Sequence, residues 1–188
     1  MQIIGMGGSG INIVNHLLRK LPRLANVGVM AEKYDLPKST AESKLQFWDP
    51  QGLGDSTRIE SARWIFDNSK ENIRRFINSD TVILTAGMGG QSSYTLPFVA
   101  QMANEMGVRT IGVVSMPFSF EGTRRQSRAN EGLKLSQESI PVLSVINADE
   151  VLKRQPPDKL SCRDAFSILD DWMSKTVLLF SDFFPKAS

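Results

Sequence analysis

The chain has 188 residues, 41% of them hydrophobic and 22% charged, with a formal net charge of +2. That length suits one substantial α/β core, and so small a charge bias gives no electrostatic case for nucleic-acid binding. The start, Met1-Gln-Ile-Ile-Gly5, lacks the basic residues and long apolar run of an export signal. Polar residues interrupt every later apolar run before it could span a membrane, and the single cysteine, Cys162, excludes an internal disulfide or a cysteine-rich metal site. The expectation is a cytoplasmic protein without membrane insertion.

Short apolar strands alternate with amphipathic helices, the pattern of a mostly parallel sheet covered on both faces. The predicted order is strand 2–4, helix 12–20, strand 26–30, and an irregular region 34–57 with a strand-like piece at 44–48. Helix 58–77 follows, its apolar residues Ile59, Ala62, Ile65, Phe66, Ile73 and Ile77 in helical rhythm. Then come strand 81–85, helix 96–105, strand 110–114, helix 125–134, strand 141–146 and a final helix 162–180. No linker separates two cores, so residues 1–188 read as one domain. His16 is read as a helix residue without proton-transfer work. Trp64, Trp172, Phe180, Phe183 and Phe184 are read as packing residues.

Three loops at the carboxyl ends of predicted strands, where open parallel sheets bind ligands, carry the chemistry. Gly5-Met-Gly-Gly-Ser-Gly10 follows the first strand and opens the first helix. Glycine permits a tight turn and close backbone approach, while amides at the helix start attract phosphate. The same spacing satisfies a dinucleotide-binding fingerprint, with Glu32 placed to meet a ribose. Gly87-Met-Gly-Gly-Gln-Ser-Ser-Tyr-Thr95 repeats the arrangement after a later strand, and its amides with the Ser92, Ser93 and Thr95 hydroxyls suit a terminal phosphate. Neither turn ends in the Gly-Lys-Ser or Gly-Lys-Thr of ATPase-type phosphate loops. In Ser115-Met-Pro-Phe-Ser-Phe-Glu-Gly122 and the residues after it, Glu121 and Arg125 stand four apart, where both can face a ligand. Arg124, Arg125 and Arg128 are ligand or helix-face charges.

These residues resemble the tubulin/FtsZ family of GTP-binding proteins, in its bacterial and archaeal cell-division branch. The matching pieces are Ile4-Gly-Met-Gly-Gly-Ser-Gly-Ile-Asn12 through Asn15, Gln51-Gly-Leu-Gly54, Thr85-Ala-Gly-Met-Gly-Gly90 and Gly112-Val-Val-Ser-Met-Pro-Phe-Ser-Phe-Glu-Gly122, with a looser match from Ala165-Phe166 to Ser181-Asp182. The resemblance implies a three-layer, Rossmann-like nucleotide-binding fold with GTP or GDP as ligand and Mg²⁺ as a companion ion. By position, it implies that Gly7, Gly8, Ser9 and Gly10 hold phosphates and that Asn12 approaches the guanine. Gly87, Met88, Gly89 and Gly90 would form the signature phosphate turn beside Ser92 and Ser93. Glu121 would meet the ribose, Arg125 the sugar-phosphate edge, Asn147 the base pocket, and Asp170 the guanine N1 and amino donors, which a carboxylate suits because it offers two acceptors.

Departures from the family pattern shape the functional expectation. Gln91-Ser-Ser-Tyr-Thr95 replaces Gly-Thr-Gly-Thr-Gly, Asp55-Ser-Thr-Arg58 replaces a small glycine- and alanine-rich turn, and Ala31-Glu-Lys33 replaces Asn-Thr-Asp. Asn147-Ala-Asp149 places Ala148 where the family stacks an asparagine on the base. The sequence ends at Ser188, before the acidic loop by which filament-forming relatives activate hydrolysis in a neighbour. No catalytic residue is assigned. The expected function is guanine-nucleotide binding with weak or absent hydrolysis, in a protein that regulates or caps a full-length FtsZ-like relative or associates with itself. Two competitors are a nucleotide-independent interaction protein retaining the fold and an NAD-binding domain.

Overall fold

The computed structural model describes residues 1–47, 59–154 and 160–183. Gln51–Gly54, the loop 55–58, Trp48 and Phe184 lie outside the described residues. The strands are β1 (Gln2–Met6), β2 (Val27–Ala31), β3 (Ser43–Gln46), β4 (Thr81–Gly87), β5 (Arg109–Met116) and β6 (Val142–Asn147). They form one parallel sheet in the order β3-β2-β1-β4-β5-β6. The helices are α1 (Gly7–Lys20), α2 (Ile59–Phe76), α3 (Ser92–Glu105), α4 (Thr123–Ser139), α5 (Ala148–Lys153) and α6 (Cys162–Phe183).

The central strands are nearly continuous apolar runs because helices cover both faces. Alternation sorts their side chains. Ile4, Met6, Met30, Val82, Leu84 and Val114 pack with Ile65, Phe66 and Ile73 of α2 and with Leu96, Val99 and Ala103 of α3. Ile3, Val29, Ile83, Ile111 and Val113 face the other way, onto Ile11, Val14 and Leu17 of α1. Ala165, Leu169, Met173 and Val177, spaced every fourth residue along α6, complete that second layer. The three-layer α/β expectation is correct.

The largest boundary differences fall at the starts of α1 and α3 and at the end of α4, which runs to Ser139 rather than residue 134. α1 begins at Gly7 rather than residue 12, and α3 at Ser92 rather than residue 96, because the glycine- and serine-rich turns themselves form the first helical turn. Pro97 consequently lies inside α3, where it removes the amide that would bond the Ser93 carbonyl. Gly132 of α4 closes on that carbonyl, since a Cβ there would lie 2.4 Å from the Ser93 oxygen. The region 34–47 contains a 3-10 turn, Leu36–Lys38, and β3 at the sheet edge. Among the aromatics read as packing, Trp172 and Phe180 lie against the second core layer. Trp64 and Phe183 are instead exposed, because α2 and α6 turn those positions outward.

Candidate functional site

The strand order reverses direction between β1 and β4, and in open α/β sheets the crevice for a ligand lies outside the carboxyl ends of the strands at such a point. Both glycine turns sit there, one after β1 and one after β4. They touch, since a Cβ on Gly87 would lie 2.5 Å from the Ser9 hydroxyl oxygen. Around them is a cavity of about 260 Å³ lined by Gly7, Gly8, Ser9, Glu32, Asp35, Gly87, Gly90, Gln91, Ser92 and Arg125.

In the first turn, Met6 is extended and Gly7 takes φ +67, a left-handed conformation that side chains disfavour. The chain thereby folds directly into α1, and the amides of Gly7, Gly8 and Ser9 belong to the first turn, which has no intrahelical acceptors. Gly8 is exposed and meets only Asp35, 3.7 Å from the position of a Cβ. Gly10 has a different task. A Cβ there would lie 2.6 Å from the Gly5 carbonyl carbon and 2.8 Å from the Thr85 oxygen, so its absence lets α1 close onto β1 and β4.

The second turn engages much of its own polarity. The Ser93 hydroxyl accepts the Gly89 amide at 2.6 Å, the Ser92 hydroxyl donates to the Gly87 carbonyl at 2.8 Å, and the Met88 amide donates to Ser115 of β5 at 2.8 Å. Met88 and Ser93 are buried. Gly89 has φ +99 and lies under Arg125, whose Cγ would sit 2.5 Å from a Cβ there. The Gln91 side-chain nitrogen is buried with no hydrogen-bond partner among the described residues.

The third loop leaves β5 through Pro117 and a 3-10 turn, Ser119–Glu121. One Glu121 oxygen accepts the Phe118 amide at 2.8 Å, and the other lies 2.8 Å from Arg125 Nε. That Nε satisfies the distance of an ion pair without the direction of a hydrogen bond. Gln126 fixes the same loop by donating to the Pro117 and Phe118 carbonyls. Glu121 and Arg125 therefore face each other, and only Arg125 reaches the cavity wall.

The remaining expected residues are spread along a second edge. Asn12 is exposed on α1, and Asn147 caps α5 by accepting the Glu150 amide at 3.2 Å. Asp170 is half-buried on α6, where burial pushes its carboxyl up to about 6 against the opposing pull of Arg19. Its neighbour Asp171 is held well below the usual carboxylate range by Lys175, 2.7 Å away, and by Lys20. His16 also contacts Asp171, at 3.2 Å. One turn before Asp170 stands Phe166, edge-on to Phe118 at 5.2 Å, with Phe120 stacked on Phe118 at 4.8 Å.

The structure thus brings Gly7, Gly8, Ser9, Gly87, Gly90, Ser92 and Arg125 to one cavity, and it leaves Gly10, Asn12, Met88, Gly89, Ser93, Glu121, Asn147 and Asp170 off that cavity's wall. Sequence reasoning passed over Asp35 and did not assign Gln91 a role. No spacing rule marks Asp35, which reaches the cavity because Asn15 ties its loop to α1 through the Lys38 carbonyl and the Thr40 amide, both at 2.8 Å. Larger depressions lie between α1 and α6 and beyond the amino ends of the strands. Neither contains a glycine turn after a strand, and the second lies at the end of the sheet opposite to that expected for ligands.

A family model described as the tubulin/FtsZ family, GTPase domain, matches residues 1–154. Among solved structures, a mutant FtsZ of M. jannaschii superposes with a TM-score of 0.82 at 26% identity, over 94% of this chain and 54% of the other. An empty FtsZ dimer from the same organism gives 0.78 at 25% identity, over 94% and 53%. CetZ2 from Haloferax volcanii, a GTPγS-bound protofilament, gives 0.78 at 15% identity, over 96% and 58%, a likeness of fold alone. The chain spans about half the length of these relatives. No described helix is long and apolar enough to cross a membrane.

Proposed function

The chain belongs to the tubulin/FtsZ family, and from that premise we propose that it binds a guanine nucleotide with its phosphates at the cavity between the two glycine turns. The observation that carries this reading is the convergence of α1's first amides, the Gly87–Gly90 turn and Arg125 on one cavity at the switch point of the sheet. These groups fit a phosphate chain: backbone donors approach it closely where side chains are absent, and the Arg125 guanidinium adds the one cation on the wall among the described residues. Gly7, Gly8, Ser9 and Gly90 would hold the phosphates, with Asn12, Phe166 and Asp170 along the edge toward the base. Mg²⁺ would enter with the nucleotide.

Intrinsic hydrolysis is proposed to be weak or absent. Turnover needs a positioned water and stabilisation of developing charge, whereas Ser93 already takes the Gly89 amide and Glu121 is paired with Arg125. The physiological role proposed is regulation or capping of a full-length FtsZ-like relative, or self-association. Calorimetric titration of nucleotide-stripped protein with GTP, GDP, ATP and NAD tests the binding step. Saturable binding of guanine nucleotides alone is expected, and binding of NAD alone would replace this reading with the dinucleotide one. Phosphate-release assays with and without a full-length relative then test turnover.

One observation favours a second reading, a nucleotide-independent interaction protein: the second turn engages much of its own polarity through Ser92 and Ser93, and Glu121 is taken up by the Phe118 amide and Arg125. It predicts no guanine-nucleotide binding by folded protein and undiminished partner contact in Arg125→Ala.

A further inference from the structure

Resting on the nucleotide-binding reading, we propose that Gln91 is a phosphate-binding residue whose side-chain amide replaces the backbone donor that the second glycine turn has given up. Three buried side-chain polar atoms lack a hydrogen-bond partner among the described residues, and two of them, Gln91 Nε2 and Arg125 Nε, belong to residues that line the cavity between the turns. The third, the Thr85 hydroxyl, belongs to no residue of that wall. A buried donor without an acceptor raises the free energy of the protein, and a phosphate oxygen is an acceptor. Arg125 at least has Glu121 2.8 Å away to balance its charge. The Gln91 nitrogen has no such companion among the described residues.

The surroundings suit that role. The Gln91 backbone is fixed, since its carbonyl accepts the Tyr94 and Thr95 amides at 3.0 and 3.1 Å and the Thr95 hydroxyl at 3.3 Å. Its side chain is free to respond: the terminal torsion of glutamine is broad, and turning the nitrogen toward the cavity breaks no hydrogen bond to the described residues. Next along the chain, a Cβ on Gly90 would meet no described atom within 4 Å, so a ligand has room to come up to the turn there. Meanwhile the Ser93 hydroxyl takes the Gly89 amide at 2.6 Å and the Met88 amide goes to Ser115, which leaves this turn short of backbone donors. A glutamine amide offers two N–H groups. It therefore adds donors to the wall without adding charge.

The test is calorimetry with GDP on the nucleotide-stripped wild type, Gln91→Met and Gln91→Glu, together with urea midpoints of the nucleotide-free proteins. Gln91→Met is expected to bind GDP about tenfold more weakly. Its urea midpoint should stay at or above the wild-type value, because an unpaired buried donor has been replaced by an apolar group of similar shape. Gln91→Glu should bind more weakly still, with the extra loss shrinking as ionic strength rises. GDP affinity within about twofold of wild type in Gln91→Met overturns the proposal, and that is the outcome if water alone serves the amide. A clearly lowered midpoint in the same variant also overturns it, since the amide would then be holding the folded protein together rather than serving a ligand. Binding of GDP by Gln91→Glu as tight as by the wild type does so too. If the wild type itself binds no guanine nucleotide, the nucleotide-binding reading falls and this assignment with it.

Discussion

The two glycine turns look alike in sequence and differ in what they do with their polar groups. After β1, Gly7, Gly8 and Ser9 open α1 on the cavity wall, their first-turn amides without intrahelical acceptors, and no acidic residue lies in that turn. After β4, Ser92 and Ser93 fold back onto Gly87 and Gly89, and Arg125 lies across the top. Glycine spacing marks where a backbone must turn sharply. The side chains that follow decide whether the amides are left for a ligand. The same division recurs on α6, where Asp171 is held by Lys20, Lys175 and His16 while its neighbour Asp170 is set by burial.

Within the first turn, the glycines should separate into packing and ligand positions. Gly10→Ala would drive a Cβ into the Gly5 and Thr85 backbone, and overpacking against atoms that cannot move is expected to destabilise by about 3 kcal/mol or more. Urea unfolding should show it, and a loss below about 1 kcal/mol would break the assignment of Gly10 to helix closure.

The two aspartates of α6 give the next effect. Asp170's folded pKa, about 6, is raised above its ordinary 3.8, so the folded state binds more protons between those values and this group makes stability fall as pH rises through that window. Asp170→Asn should remove this slope and stabilise the protein by about 2 kcal/mol at pH 7, read from denaturant midpoints at several pH values. Asp171 has the opposite sign, because its depressed pKa makes it stabilising at neutral pH and its contribution is lost as pH falls below about 4. An unchanged profile in Asp170→Asn would show that burial does not set this carboxyl.

In the second turn, Ser93→Ala deletes the buried acceptor of the Gly89 amide. A loss of about 1–2 kcal/mol is expected, together with tighter GDP binding as that amide becomes available. Weaker GDP binding would mean that the hydroxyl itself serves the ligand and would erase the contrast between the turns.

The smallest stability change should come from Gly8→Ala. Its Cβ would meet only an ordinary contact with Asp35, so stability should stay within about 0.5 kcal/mol, while GDP affinity falls about tenfold as the methyl group holds the phosphate away from the amides. Unchanged affinity would remove the first turn from the binding site.

Strands, layers and the positions of the glycine turns were legible in the sequence, because central parallel strands buried on both faces are uninterrupted apolar runs and α2 and α6 repeat their apolar residues at helical spacing. The starts of α1 and α3 were not, since glycine and serine have low helix propensity and their helical conformation comes from packing onto the sheet. α5 was missed because six residues are too few to show a period, and its start depends on the Asn147 cap.

By itself the sequence determined the sheet, its two apolar faces and the ends of strands where the backbone turns, because each depends on residue type and local spacing. Tertiary structure alone decided which polar groups face the cavity and which face each other. It paired Glu121 with Arg125, gave the Gly89 amide to Ser93, carried Asp35 to the wall through Asn15 and closed Gly10 onto Thr85. Those outcomes depend on where separate loops meet at the end of the folded sheet, and spacing along the chain does not specify that meeting.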